Sequence, residues 1–254
     1  MLTQLHYTSN YAQDRYNFLK GEERYEQYAY VDSEGIPSIG IGYNLTEDPK
    51  LDLVLQTFGF DVYGQQLTGD AWVAEQQYMQ AIYDVINNVS YTPNVHEPLR
   101  NALRQIMYAR ANDTRYGSFY RRDTFAFSSE AESKTVFDGI IESYETRVDN
   151  WLGYKMADSK ERATLVSLAY NSVTGSTDLL GPKLKAAITN DNRAEAWYEI
   201  RYNSNGDRGH ASRRYSESNM FNLYDSVFDE KGAKEVMRMY EKKQHSVFSH
   251  QLSA

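Results

Sequence analysis

Three side chains near the N-terminus have types and spacing suited to chemistry: Glu23, Asp32 and Ser38, in the pattern Glu23-x8-Asp32-x5-Ser38. With Glu23 near the end of a helix, Asp32 at a hairpin turn and Ser38 on the returning strand, the three polar groups can converge. Breaking a glycosidic bond needs a proton donor for the leaving oxygen and a second group that handles the water or the developing positive charge. Two carboxylates and a hydroxyl meet that need. The same residues also read as structure alone, with Glu22, Glu23 and Glu26 on a solvated acidic helix face and Asp32 satisfying its own turn.

The elements that must position these groups follow from hydrophobic period. Residues 11–28 read as a helix, because Phe18, Leu19 and Tyr25 recur near helical spacing among polar neighbours. Residues 28–43 then alternate in twos around Asp32-Ser-Glu-Gly35, which predicts a hairpin with Pro37 at an edge position or a bulge. From Leu45 onward the pattern is mainly helical. Ser129 and Glu132 form a capping box ahead of an apolar face that runs from Phe137 through Ile140, Ile141 and Val148 to Trp151. Further helices are expected over 159–171, 182–190, 193–202, 208–224 and 232–243. Residues 46–127 are expected to be folded helix, since Leu51, Val54, Leu55, Ile82, Ile86, Leu103 and Met107 are too apolar to stay solvated.

The segment from Glu23 through Asp32 to Ser38-Ile-Gly-Ile-Gly42, with Ala29-Tyr30 before the aspartate and Gly35 after it, resembles the catalytic signature of the phage-type lysozymes, glycoside hydrolase family twenty-four. That signature runs Glu, eight residues, Asp, five residues, Thr-Ile-Gly-x-Gly. A second stretch, from Arg162 to Tyr170-Asn171, is similar to the family's helix ending in an aromatic residue and Asn or Gln. Arg213-Arg214-x-x-Glu217 is similar to its Arg-Arg-x-x-Glu element. Three departures accompany the resemblance: Ser38 replaces the usual Thr, Tyr43 and Asn44 stand where the family commonly has His, and residues 46–127 far exceed the family's short connection.

The resemblance implies an α+β, mainly α-helical lysozyme-like fold with a small N-terminal β-hairpin lobe, an enlarged helical lobe and the site in the cleft between them. It implies a single catalytic domain over 1–254, with the catalytic helix and hairpin at 11–45, a helical insertion at 46–127, and a helical lobe and C-terminal helix at 128–254. The implied activity is hydrolysis of the β-1,4 bond between N-acetylmuramic acid and N-acetylglucosamine. Glu23 is then the acid, Asp32 stabilises positive charge or acts as base, and Ser38 holds the attacking water. Gly40, Gly42, Tyr43, Asn171, Arg213 and Arg214 are the expected substrate-binding residues, the glycines because they let a sugar approach the strand backbone. The alternatives are a lytic transglycosylase with Glu23 as sole catalyst, and an inactive virion or wall-binding protein.

Composition narrows the remaining classes. The 254 residues carry 27 Lys+Arg against 35 Asp+Glu, a formal net charge of −8, and no cysteine. Disulfides, thiolate zinc sites and cysteine nucleophiles are excluded. The acidic balance argues against nucleic acid as a partner, and the spacing of the five histidines gives no metal site. No cofactor is expected. Residues 1–17 lack the pattern of a signal peptide, and no apolar run is long enough for stable membrane insertion. The expected partner is the peptidoglycan glycan strand, met by a monomer made in the bacterial host cytoplasm. It would act on the wall in the periplasm after release, or be carried in the virion with virion proteins as partners.

Overall fold

The computed structural model describes residues 1–3, 5–119, 121–172, 179–203, 211–223, 234, 237 and 238. The fold is α+β and mainly helical, with a small antiparallel sheet. The chain divides into two compact units, one made of residues 18–141 and the other of residues 1–17 with 142–254. The hairpin and the insertion share one unit.

Helix α1 (Tyr11–Glu23), of which residues 18–23 belong to the 18–141 unit, hands over to strands β1 (Glu26–Val31), β2 (Pro37–Gly40) and β3 (Tyr43–Asn44), in the order β1-β2-β3. The helix stops short of the expected residue 28. Arg24 adopts a left-handed conformation at φ 64, and the following residues are claimed by strand pairing. Tyr28, Tyr30 and Val31 suit a pleated surface better than a helix. Pairing beyond the sheet supports them, since Phe127 N donates to Gln27 O at 3.1 Å. Pro37 lies on neither an edge strand nor a bulge. It opens the central strand opposite Val31, where the lack of an N–H is tolerated, and its carbonyl accepts from Leu45 N at 2.9 Å.

Residues 46–127 fold as expected into helices α2 (Asp48–Thr57), α3 (Gly69–Asn87) and α4 (Glu97–Ala111) and a 3-10 turn at Thr114–Tyr116. Prolines in the first turns of α2 and α4 mark their starts, where a missing N–H breaks no helical bond. The buried Leu51, Leu55, Ile82, Ile86, Leu99, Leu103 and Met107 supply apolar packing. Among them lies a buried ion pair in which Arg110 Nε donates to Glu75 Oε2 at 2.7 Å, joined by the Tyr116 hydroxyl at 2.6 Å.

Helix α5 (Glu130–Leu152) begins as expected behind Ser129, whose Oγ accepts from Glu132 N at 3.3 Å. The reciprocal arm of the capping box differs, because the Glu132 carboxylate takes Ser128 N at 2.6 Å and the Arg122 guanidinium. The second unit continues with α6 (Lys160–Asn171), α7 (Pro182–Thr189), α8 (Arg193–Tyr198), a π-helical turn at Glu199–Asn203, and α9 (Ala211–Phe221). Its polar centre is Arg162, which bonds Glu145 Oε2 at 2.7 Å and Asp149 Oδ1 at 2.5 Å, while Glu145 also accepts from the Tyr11 hydroxyl at 2.8 Å. The tail helix expected over 232–243 lies outside the described residues except at three positions. Among the described residues no helix is long and apolar enough to cross a membrane.

Candidate functional site

Glu23, Asp32, Ser38 and Gly42 all belong to the 18–141 unit. The left-handed Arg24 ends α1 just after Glu23, so the carboxylate lies against the turn that joins β2 to β3. Gly42 in that turn has φ +76, and a Cβ placed on it would stand 3.3 Å from Glu23 Oε2. Glycine therefore serves twice here, for the backbone and for the close approach of the acid.

Strand register arranges the remaining groups. Tyr30 pairs with Ser38 and Ser38 with Asn44, so these three share one face of the sheet. Val31, Ile39 and Tyr43 alternate with them and are fully buried on the other face. Polar side chains thus form a row across all three strands. Asn44 Oδ1 accepts from Thr46 N at 2.9 Å and from Thr46 Oγ1 at 2.7 Å, which fixes that end of the row.

Asp32 follows Tyr30 by two residues, at the turn. Its Oδ1 accepts from Glu34 N at 2.8 Å and Ile36 N at 2.9 Å. One carboxylate oxygen is thereby given to turn chemistry, and among the described residues Oδ2 takes no hydrogen bond. The Tyr30 phenol links the set. Burial, then the charges of Glu23, Asp32 and Glu26, push its pKa up to about 12, while a hydrogen bond with Ser38 pulls the other way. At neutral pH the phenol is an O–H donor within electrostatic reach of both carboxylates. Tyr30 enters the sequence pattern only as the neighbour of Ala29 and carries no chemical role there. Its signal was strand alternation, two residues before Asp32 and across from Ser38.

Five of the six expected substrate-binding residues make internal contacts. Tyr43 is fully buried and its hydroxyl donates to Ser133 O at 2.9 Å, so it supports the sheet from behind. Gly40, at φ +67, makes room for that ring, because a Cβ there would overlap Tyr43 and come within 3.0 Å of Ser133 Oγ. Arg213 and Arg214 belong to the other unit and are buried around Glu217. Arg213 Nε donates to Glu217 Oε1 at 3.2 Å, the Ser167 hydroxyl donates to the same oxygen at 2.6 Å, and Arg214 bridges Glu217 to Asn171 Oδ1. Burial raises the Glu217 pKa while both arginines oppose it. Asn171 is thus engaged by Arg214, and the cluster is an internal ion network. Its sequence signal was the i,i+3 and i,i+4 spacing of two arginines to one glutamate.

The arrangement left at the sheet offers a half-buried carboxylate at a helix end, a second carboxylate with one unengaged oxygen, and a serine and a tyrosine hydroxyl between strands. No family model matches the chain, and no curated protein or solved structure matches it.

Proposed function

We propose that this protein is a glycoside hydrolase that cleaves the β-1,4 bond between N-acetylmuramic acid and N-acetylglucosamine of peptidoglycan. The observation that carries the reading is the strand register that sets Ser38 beside Tyr30, two residues before Asp32, with Gly42 making room for the Glu23 carboxylate at the turn between β2 and β3. In this mechanism Glu23 gives its proton to the glycosidic oxygen as the C–O bond breaks. A water held by Ser38 and Tyr30 attacks the anomeric carbon, and its proton leaves to a carboxylate. The unengaged oxygen of Asp32 faces the positive charge that develops on the sugar or takes that proton. Wall degradation during phage lysis or infection is the setting in which such an activity serves.

A second reading rests on the other oxygen of Asp32. Its two backbone hydrogen bonds hold the carboxylate in the turn, which favours Glu23 acting alone and the sugar's own hydroxyl replacing water, as in a lytic transglycosylase. Mass analysis of fragments from digested peptidoglycan separates the two. Reducing ends support hydrolysis, anhydro ends support the transglycosylase, and uncut glycan refutes both.

A further inference from the structure

Outside this site, the 18–141 unit contains a cavity of about 220 Å³ between α4 and residues 124–125, floored by Tyr28 and Ala29 of β1. Two arginines one helical turn apart on α4 line it. Arg100 Nε donates to Ala29 O at 2.7 Å, and its guanidinium lies 5.8 Å from the centre of the half-exposed Tyr28 ring. Arg104 is exposed, and among the described residues its guanidinium bonds only Asn101, on its own helix. Among the described residues neither arginine forms an ion pair with a carboxylate, although the chain carries 35 acidic residues against 27 basic ones.

Like charges at i,i+4 disfavour the helix that carries them, and nearby acid could have been recruited to neutralise them. Glu97 lines the same cavity one turn before Arg100 and forms no ion pair with it. An anion with two acceptor oxygens fits the pair of guanidiniums. Tyr28 adds an apolar face, and Glu97 an acceptor for a cation. The floor of the cavity is also the strand that carries Tyr30, two residues or roughly 7 Å further along.

We propose that this cavity holds the carboxylate-bearing stem peptide attached to the glycan, with Arg100 and Arg104 clamping a carboxylate and Glu97 receiving the ammonium of a diamino acid. The inference rests on the glycan reading above and extends it, assigning to the helical insertion the recognition of peptide-substituted strands. Residues 46–127 would then be present for substrate selection as well as for bulk.

The test is binding to the full-length protein of two soluble probes, N-acetylglucosaminyl-N-acetylmuramyl-tetrapeptide and the same disaccharide with its peptide removed, followed by titration calorimetry. Neither contains the bond to be cut, so turnover does not intervene. The expected result is at least a tenfold preference for the peptide-bearing probe, weakened by salt and abolished in Arg100→Ala/Arg104→Ala. Arg104→Ala alone, an exposed change, should reduce the preference severalfold if the double variant fails to fold. Equal binding of the two probes, or a preference that survives Arg104→Ala unchanged, overturns the proposal while leaving the glycan reading intact. Absence of binding by both probes, together with uncut peptidoglycan, overturns the two together.

Discussion

Replacing Gly42 by alanine separates backbone strain from placement of the acid. Gly42 has φ +76, and its added Cβ would stand 3.3 Å from Glu23 Oε2, inside ordinary van der Waals contact. Gly59 has nearly the same backbone, φ +79, with nothing within 4 Å of its added Cβ. A left-handed L residue costs roughly 1–2 kcal/mol wherever it occurs, so both substitutions should lower Tm by about 2–8 °C in a chain of this size. Only Gly42→Ala should also displace the Glu23 carboxylate, by a few tenths of an ångström. Since a misplacement of about 1 Å costs roughly 100-fold, the expected loss is about three- to tenfold in the rate of clearing of outer-membrane-stripped cells. Gly59→Ala should keep the wild-type rate at temperatures well below its Tm. Equal activities for the two variants, or equal losses, would refute the idea that Gly42 exists to admit the acid.

Glu23→Gln should reduce turbidity loss at least about 100-fold, the lower range of general acid catalysis, with Tm within a few degrees of wild type; a variant retaining a tenth of the rate excludes the role. Ser38→Ala should slow cleavage severely, and proton NMR of the first product from the wild-type enzyme should show the α-anomer, because a water opposite Glu23 inverts the centre and needs carboxyls roughly 6.5–9.5 Å apart. An initial β-anomer would instead assign Asp32 as a covalent nucleophile. Arg162→Ala should destabilise by about 3–5 kcal/mol, since it removes a guanidinium only 1% exposed from between Glu145 and Asp149 and leaves Glu145 to Arg15 and the Tyr11 hydroxyl; a Tm loss under about 2 °C would show the network to be dispensable. Burial alone would raise the Glu145 pKa, but hydrogen bonds from Arg162 and Tyr11 and the nearby positive charge bring it below the ordinary glutamate value. Its stabilisation is therefore full above that value and disappears as pH falls through the depressed one. Tm measured from neutral pH into acid should drop in the wild type and fall less steeply in Arg162→Ala.

Local physics made many of the helices readable. Ser159 caps α6 by accepting Arg162 N at 3.2 Å, Pro182 opens α7, and the apolar spacing of residues 46–127 demanded burial against partners. Where local signals conflicted, tertiary pairing decided. Glu22 to Glu26 are good helix formers, yet the helix ends at Glu23 because residues from 26 onward gain ladder bonds to β2 that no local preference announces. Arg213 and Arg214 illustrate the opposite error. Charged residues are rarely fully buried unless paired, and a double arginine reads as a surface meant for an anion. The partner that buries it, Glu217, was visible at helical spacing, but the hydroxyl of Ser167 that completes the cage comes from a different helix.

The two glycines of the hairpin show why the candidate site was only half legible. Gly40 and Gly42 are two residues apart and both left-handed, and in a continuous strand they would share a face. The chain reverses between them at Ile41-Gly42, so Gly40 opens toward the buried Tyr43 ring while Gly42 opens toward Glu23. One admits packing and the other admits the acid. A Gly-x-Gly pattern carries no mark of that difference, because it depends on the register that pairs Ile39 with Tyr43 and Ser38 with Asn44. The same register brings Tyr30 beside Ser38. Residue spacing along the chain identified the carboxylates, and pairing across the strands placed the Tyr30 phenol beside Ser38.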